Sequence, residues 1–332
     1  AAEHYHQALK SHPQRKYAVD YLKGRGLTGE IARDFGLGFA PPGWDNLHKH
    51  LGGDKLQQKA MIDGSITGKY RITFGLTEPD HGSDIAGGLA TTATRDGDEW
   101  VIRGAKRWIG NGTIARIAIV WARDEADGQV KGFVVEQSTP GYEAAVLTGK
   151  GALRAIHQAE ITLTDVRVGD DARLPGVARF KDAARVLVAT RVNVGWSALG
   201  HATAMFEAAL AYARQREQFG KPIGGFQLTQ AKLADMAVAI GKGYLLAHQI
   251  GRAKDAGPLT PAMISAGKLD NCRVAIGIAR EAREMLGGNG ILLEHRVMRH
   301  FADVEALHTY EGTESVQALI LGRDLTGMSA FA

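Results

Sequence analysis

Near residue 176 the hydrophobic pattern changes period, and that change limits the architectures open to this chain. Between residues 70 and 175 apolar and polar residues alternate in short runs, as in Trp100-Val101-Ile102-Arg103-Gly104, Ile117-Ala118-Ile119-Val120-Trp121, Gly132-Phe133-Val134-Val135-Glu136 and Ala159-Glu160-Ile161-Thr162-Leu163. Asp96-Gly97-Asp98, Asp127-Gly128 and Pro140-Gly141 separate them. Short alternating runs between turn residues predict a β-sandwich or barrel. From residue 177 apolar residues recur at helical spacing: Leu228, Ala231, Leu233, Met236 and Ile240, then Met263, Ala266, Leu269, Val274 and Ile278. Breaks fall at Gly257-Pro258 and Gly287-Gly288, so three long helices with short connections, a helical bundle, are expected. The fold class is therefore multidomain α and β.

Composition narrows function only modestly. Apolar residues make up 45% of the 332, enough for a sizeable core. The formal net charge of +4 reads as a solvated basic surface rather than a nucleic-acid footprint. The single Cys272 excludes an intrachain disulfide and suits a reducing compartment. No apolar run has bilayer-spanning length and no secretory pattern opens the chain, so a cytoplasmic protein with no membrane partner is the expectation. His4, His6 and His12 have no Cys cluster nearby, and no metal site is expected. Gly287-Gly288-Asn289-Gly290 lacks the Lys-Ser/Thr of a phosphate-binding P-loop.

Three segments carry chemistry. Thr309-Tyr310-Glu311-Gly312-Thr313 places one carboxylate on a Gly-containing turn between two helical segments. Upstream of it runs Met285-Leu286-Gly287-Gly288-Asn289-Gly290-Ile291, and far upstream Phe74-Gly75-Leu76-Thr77-Glu78-Pro79-Asp80-His81-Gly82-Ser83-Asp84. Glycines allow backbone N–H groups to approach a ligand closely. In order and spacing these segments resemble the acyl-CoA dehydrogenases, over residues 70–332. Lys106-Arg107-Trp108-Ile109-Gly110-Asn111, Arg173-Leu174-Pro175-Gly176, Leu321-Gly322-Arg323 and Thr326-Gly327 are similar to two branches, glutaryl-CoA dehydrogenase and short-chain acyl-CoA oxidase. Most of the family has Thr where this chain has Gly110, and the oxidase-like branch has Gly.

The resemblance implies FAD as cofactor, a short-chain (possibly glutaryl-type) acyl-CoA as substrate and Glu311 as the base that takes the α proton. It implies that Phe74, Gly75, Leu76 and Thr77 hold the flavin, that Ser83 lies near its phosphates or the pantetheine arm, and that Trp108 stacks on the ring with Ile109 and Gly110 lining it. An ordinary core tryptophan is the other reading of Trp108. Arg216 and Gln227 would reach the diphosphate and adenine of a neighbouring subunit's FAD, as would Glu284, Met285, Leu286, Gly287 and Gly288, with Thr313 on the phosphate side. Arg191 would lie near the CoA portion, and Gly312 beside the substrate. A complete site then needs a homo-oligomer, a dimer of dimers, and a dehydrogenase would pass electrons to an electron-transfer flavoprotein. For Glu311 taken alone, the bland reading is an acid favoured by a helix N-terminus.

The first 64 residues are different. Ala8-Leu9-Lys10-Ser11-His12-Pro13, Tyr21-Leu22-Lys23-Gly24-Arg25-Gly26-Leu27-Thr28 and Gly36-Leu37-Gly38-Phe39-Ala40-Pro41-Pro42-Gly43-Trp44-Asp45-Asn46-Leu47 resemble bacterial DNA primase, in the segment joining its zinc-binding and polymerase domains. The chain thus reads as a chimera: a primase-like helical fragment at 1–64, a junction at 65–69, a β domain at 70–176 and a helical domain at 177–332. The N-terminal helical domain of the acyl-CoA dehydrogenases is missing. The primase fragment has neither the zinc cluster nor the acidic metal-binding cluster, so nucleic acid is not an expected partner. Three other functional readings stay open: a catalytically incompetent chimera, an oxidase that uses O2 and, most remote, a primase-derived fragment that binds nucleic acid weakly through Lys10, Arg15, Lys16, Lys23 and Arg25.

Overall fold

The computed structural model describes residues 2–24, 28–30 and 71–330. Helix α1 (Ala2–Ser11) and helix α2 (Lys16–Gly24) flank a single 3-10 turn at Pro13–Arg15. Pro13 sits where a helix start needs no N–H, and His12 Nδ1 caps the turn by accepting from Gln14 N. Most of the primase-like segment and the expected junction at 65–69 lie outside the described residues.

The alternating region forms one seven-stranded sheet: β1 (Ile72–Gly75), β2 (Thr92–Asp96), β3 (Glu99–Gly110), β4 (Ile117–Asp124), β5 (Val130–Glu136), β6 (Tyr142–Val146) and β7 (Gln158–Gly169). Strand β4 organises it. One edge pairs antiparallel with β5 along most of its length. The other edge pairs in parallel, first with β1 and then with β2. From β2 the sheet continues through β3 and β7 to β6. It curls on itself, because Val120 and Phe133 of the β4–β5 end share one core with Trp100, Ile102 and Ile161 of the β3–β7 end. At the predicted Pro140-Gly141 turn, Gly141 has φ +86°, and a Cβ there would stand 2.0 Å from the Thr164 carbonyl oxygen. Only glycine fits. A four-residue helix, α3 (Ile85–Gly88), lies in the loop after β1.

Five helices follow, the three long ones expected and the two segments flanking the Thr309–Thr313 turn: α4 (Phe180–Gln215), α5 (Gln227–Ala256), α6 (Pro261–Met285), α7 (Val297–Thr309) and α8 (Glu314–Thr326). The long three match the periodicity. The last two are 13 residues each, too short for a pattern that stands alone in sequence. Thr260 caps α6 with Pro261 at its first position, a standard helix start. The periodic residues of α5 divide between two faces. Met236 and Ile240 are buried, whereas Leu228 is 81% exposed, as are Val238 and Leu245 to a lesser degree. On α6 the buried stripe includes Lys268 and Asn271 as well as Cys272, Ala275 and Ile278. Among the described residues no helix is long and apolar enough to cross a membrane, and no three metal-ligating side chains converge.

The β and helical domains meet in two places. The first turns of α4 pack Phe180, Ala183 and Leu187 against Phe74, Leu76 and Trp121. Farther on, Asp303 of α7 accepts from Leu153 N at 2.6 Å, where Leu153 has φ +48°. Beside that tether His201 of α4 and His300 of α7 meet Nδ1 to Nδ1 at 2.9 Å. In this contact one ring donates and the other accepts, so two protonated rings would face N–H to N–H. Burial pushes the pKa of both histidines down; Arg296 and Arg299 push His300 further down, and Asp303 opposes the shift at both. A histidine whose folded pKa is depressed binds fewer protons folded than unfolded, so stability falls as pH drops below the ordinary value near 6.5. We predict that the thermal unfolding midpoint declines between about pH 6.5 and 5, and that His201→Gln flattens that decline. An unchanged slope in the variant would discount the pair.

Candidate functional site

The chain turns sharply between α7 and α8. Tyr310 caps α7, its N–H donating to Ala306 O at 2.9 Å. Glu311 then takes φ +55° and Gly312 φ +90°, and the Thr313 hydroxyl caps α8 by accepting from Val316 N. Non-glycine residues adopt positive φ uncommonly, and surrounding structure must hold them there. Here three buried side chains grip three successive carbonyls. Lys268 Nζ donates to the carbonyls of Tyr310 and Gly312. Arg191 Nε donates to the Glu311 carbonyl at 2.8 Å. Gln317 Nε2 donates to the Glu311 and Gly312 carbonyls, both at 3.0 Å. Gly312 is obligatory, because a Cβ would meet Gln317 Nε2 at 2.4 Å. Cations are favourable at the carbonyl end of a helix such as α7.

The Glu311 carboxylate accepts from the Thr190 hydroxyl at 3.0 Å. Burial pushes its pKa above the usual carboxylate range, and the Thr190 bond, Arg191 and Lys268 offset only part of the rise. A raised carboxyl is a stronger base near neutral pH. Burial likewise pushes Lys268 down to about 8 and Cys272 up to about 11, which leaves that thiol unreactive.

A second constellation lies at the ends of β1 and β3. Glu78 and Lys106 form a buried ion pair, Nζ to Oε1 at 2.7 Å. Glu78 also accepts from Ala90 N at 2.6 Å and Thr91 N at 2.9 Å, and Lys106 donates to the Leu76 carbonyl at 3.2 Å. Burial alone would raise the Glu78 carboxyl, but Lys106 and the bonds from Thr91 and Ala90 more than offset it and hold it below its ordinary range. The pair fixes the segment carrying Thr77 to β3. Arg107 N donates to the Thr77 carbonyl at 2.8 Å, and the Thr73 hydroxyl to the Gly110 carbonyl at 2.5 Å. Between Lys106 and Ile109 the β3–β7 register slips, and Trp108 takes φ +64° at that bulge. Bulges re-aim side chains. The Trp108 ring is 52% exposed, so the core-tryptophan reading fails. The Ile109 side chain belongs to the β core, so any lining role falls to its backbone. Leu76 is buried, Phe74 packs beside it, and Gly75 lies flat against β4. A Cβ on Gly110 would meet nothing within 4 Å, and Ser83 is exposed.

Helix α4 joins these two constellations. Leu187 packs near Phe74, and Thr190 and Arg191 follow within about one turn, roughly 5 Å of rise. Arg191 was expected near the CoA portion of a substrate. Arg191 is buried beneath the turn, with its Nε on the Glu311 carbonyl.

The remaining expected residues gather at the other end of the bundle. Arg216 ends α4, Gln227 begins α5, and both are exposed. Between them a small hairpin, β8 (Glu217–Gln218) and β9 (Lys221–Pro222), presents Phe219 at 95% exposure. Tyr212, one turn before Arg216, accepts from Asn289 Nδ2 at 3.0 Å, which places the Gly287-Gly288 turn alongside. Glu284 pairs within its own chain with Lys232 at 2.8 Å. Leu286 is buried and Met285 packs on the bundle core, which leaves the Glu284 carboxylate and the backbone of Gly287 and Gly288 open. Along α4, Arg216 stands about 37 Å from Arg191 at 1.5 Å per residue. Within one chain the two groups cannot surround the same small ligand.

Sequence reasoning missed Lys268, Gln317, Thr190 and the Glu78–Lys106 pair. A lysine within the small-residue run Ser265-Ala266-Gly267-Lys268 was the available signal, since a charge on a core stripe needs a buried partner.

Residues 73–166 match the family model for the acyl-CoA dehydrogenase middle domain, and residues 180–326 that for the acyl-CoA dehydrogenase C-terminal domain. Residues 4–73 match the model for the N-terminal domain of the DNA primase catalytic core. The chain is 35% identical over 278 residues to the mitochondrial short-chain specific acyl-CoA dehydrogenase of Bos taurus, covering 82% of this chain and 67% of that protein. It is similar to a crystal structure of glutaryl-CoA dehydrogenase from Mycobacterium smegmatis, with 49% identity, TM-score 0.80, and 85% of this chain and 72% of that one covered. A glutaryl-CoA dehydrogenase from the same organism, in complex with FADH2, matches at 36% identity and TM-score 0.80 over all of this chain and 95% of that one.

Proposed function

The chain belongs to the acyl-CoA dehydrogenase family, and from that premise we propose that it binds FAD and dehydrogenates a short-chain or glutaryl-type acyl-CoA thioester between its α and β carbons. The observation that carries this reading is the Glu311 turn: a half-buried carboxyl of raised pKa on a backbone gripped at three carbonyls. Glu311 takes the α proton. Its own N–H, which donates to no backbone carbonyl among the described residues, is free to meet the charge that develops on the thioester oxygen. When bound, FAD supplies the hydride acceptor. The exposed Trp108 ring offers a flat apolar face for it, Thr77 offers a hydroxyl, and the open space at Gly110 leaves room. Phe74, Gly75 and Leu76 shape the strand beneath, Ser83 serves the phosphate or pantetheine side, and Gly312 lies beside the acyl group. Thr313 is engaged as a helix cap and contributes through the N-terminus of α8.

The roughly 37 Å of helix between Arg191 and Arg216 supports a shared site. Arg216, Gln227 and the backbone of Gly287 and Gly288 serve a neighbouring subunit's FAD, and the dimer of dimers is the assembly proposed. Flavin absorbance should therefore follow oligomer size by light scattering. A monomer with stoichiometric, tightly held FAD would contradict the assembly.

Residues 1–64 are proposed to contribute nothing to this chemistry, with the boundary in 65–69, and the chain is proposed to work in the cytoplasm. The proposed electron acceptor is an electron-transfer flavoprotein. The space at Gly110 favours a second reading, reoxidation by O2. Turnover of butyryl-CoA and glutaryl-CoA, followed once with an artificial acceptor and once by oxygen consumption, separates the two. A colourless protein with no turnover under either condition overturns both and leaves the incompetent chimera.

A further inference from the structure

We propose that Lys268 is a positioning residue for the reaction, holding the Tyr310–Glu311 peptide so that the Glu311 N–H faces out of the helical bundle toward the substrate. The inference rests on the reading of Glu311 as the base.

Lys268 is 2% exposed, and among the described residues it forms no ion pair with an Asp or Glu. A buried lysine without a carboxylate partner is costly, and an apolar residue of similar size would ordinarily pack there more cheaply. Its donors go to the carbonyls of Tyr310 and Gly312, the residues on either side of Glu311. The carbonyl between them is already taken by Arg191 and Gln317.

Peptide planarity gives this grip its consequence. In a trans peptide the C=O and the following N–H point in opposite directions, and no peptide among the described residues is cis. With the Tyr310 oxygen drawn inward to Lys268, the Glu311 N–H must point outward. The Arg191 and Gln317 bonds do the same for the Gly312 N–H. Lys268 thereby orients the amide that meets the developing charge, and it does so without touching the reacting atoms. It also stabilises the positive φ of Glu311, since relaxing that angle would swing the Tyr310 carbonyl off the ammonium.

Gln317 cannot substitute for Lys268. Its Nε2 is already shared between two carbonyls, and its Oε1 is buried with no partner. The Tyr310 carbonyl therefore depends on Lys268 alone.

The test compares Lys268→Met, which keeps length and removes the donors, with Lys268→Gln, which restores two N–H donors without charge. Lys268→Met should retain flavin and oligomer size, hold KM within a few-fold and lose about 10²–10³-fold in kcat, the scale for one oxyanion donor. Lys268→Gln should recover part of that loss. The acid limb of the kcat–pH profile should move upward in Lys268→Met, because a cation beside Glu311 has been removed. A folded Lys268→Met with wild-type kcat overturns the proposal, and if that variant does not fold, a folded Lys268→Gln with a pH profile and crystal structure unchanged at the turn does so instead. Independently of turnover, a crystal structure of Lys268→Met with the Tyr310 carbonyl and the Glu311 φ unmoved also overturns it. Glu311→Gln measured in parallel separates the two ideas. If that variant keeps turnover, the base assignment is wrong; if it is dead while Lys268→Met is unimpaired, only Lys268 is misassigned.

Discussion

Glu311→Gln should lose at least about 10²–10⁴-fold in kcat, the range for a positioned general base, while keeping its flavin and its fold. The change is nearly isosteric. The bonds that hold the turn all go to backbone carbonyls, so they survive, and the Thr190 hydroxyl can still donate to the new amide oxygen. Only the proton-accepting capacity disappears. The same substitution should leave thermal stability equal or slightly higher. Burial raises the folded pKa of Glu311, so the folded state binds more protons than the unfolded one across that window, and the charged carboxylate at neutral pH opposes folding. A catalytic group that costs stability is expected when its pKa has been tuned for chemistry rather than for ion pairing. Steady-state kinetics on butyryl-CoA and glutaryl-CoA, flavin absorbance and thermal melts check the three parts. Wild-type turnover would remove Glu311 from the reaction, and a destabilised variant would mean that the carboxylate is structural.

The sequence made the two-domain division legible because period 2 and period 3.6 are set by backbone geometry. It made the Glu311 turn legible as a motif, since Gly312 is required by contact with Gln317. What holds that turn was not legible. Lys268 lies 43 positions before Glu311 and Arg191 lies 120 before it, and helix packing alone brings them together. Helices α7 and α8 are legible only as the two helical segments flanking the Glu311 turn, because each has too few turns for a clear apolar stripe. On α5 the spacing shows a helix but not which apolar face is core. Leu228 and Val238 are apolar like Met236 and Ile240, and nothing local distinguishes a core face from one left uncovered within a single chain. Trp108 shows the converse: within an alternating strand it reads as core, and only the bulge turns its ring outward.

The largest effect on stability should come from Lys106→Met. Removing one partner of a buried ion pair strands the other charge, at a cost of about 3–5 kcal/mol. Here the stranded group is Glu78, buried in the β domain and left with the N–H groups of Ala90 and Thr91. Two backbone donors soften the loss without cancelling it, since the carboxylate keeps its full charge. Glu78→Gln alone should cost less, because the ammonium retains the Leu76 carbonyl. The double variant should recover much of the Lys106→Met loss, and the cycle of all four proteins isolates the pairwise coupling. The pH dependence has a definite sign. The folded pKa of Glu78 is held below its unfolded value near 4.3, so its contribution is present above that value and fades as pH falls through the folded one. Lys106→Met should therefore narrow its deficit against wild type in strong acid. The functional readout lies at the surface above. Lys106 is the last residue in register before the bulge that turns Trp108 outward, and the next residue's N–H holds the Thr77 carbonyl. If the pair sets that geometry, flavin affinity should fall along with stability in Lys106→Met and return in the double variant. Additive losses across the cycle would mean that the two residues act separately and that the bulge is fixed by the sheet alone.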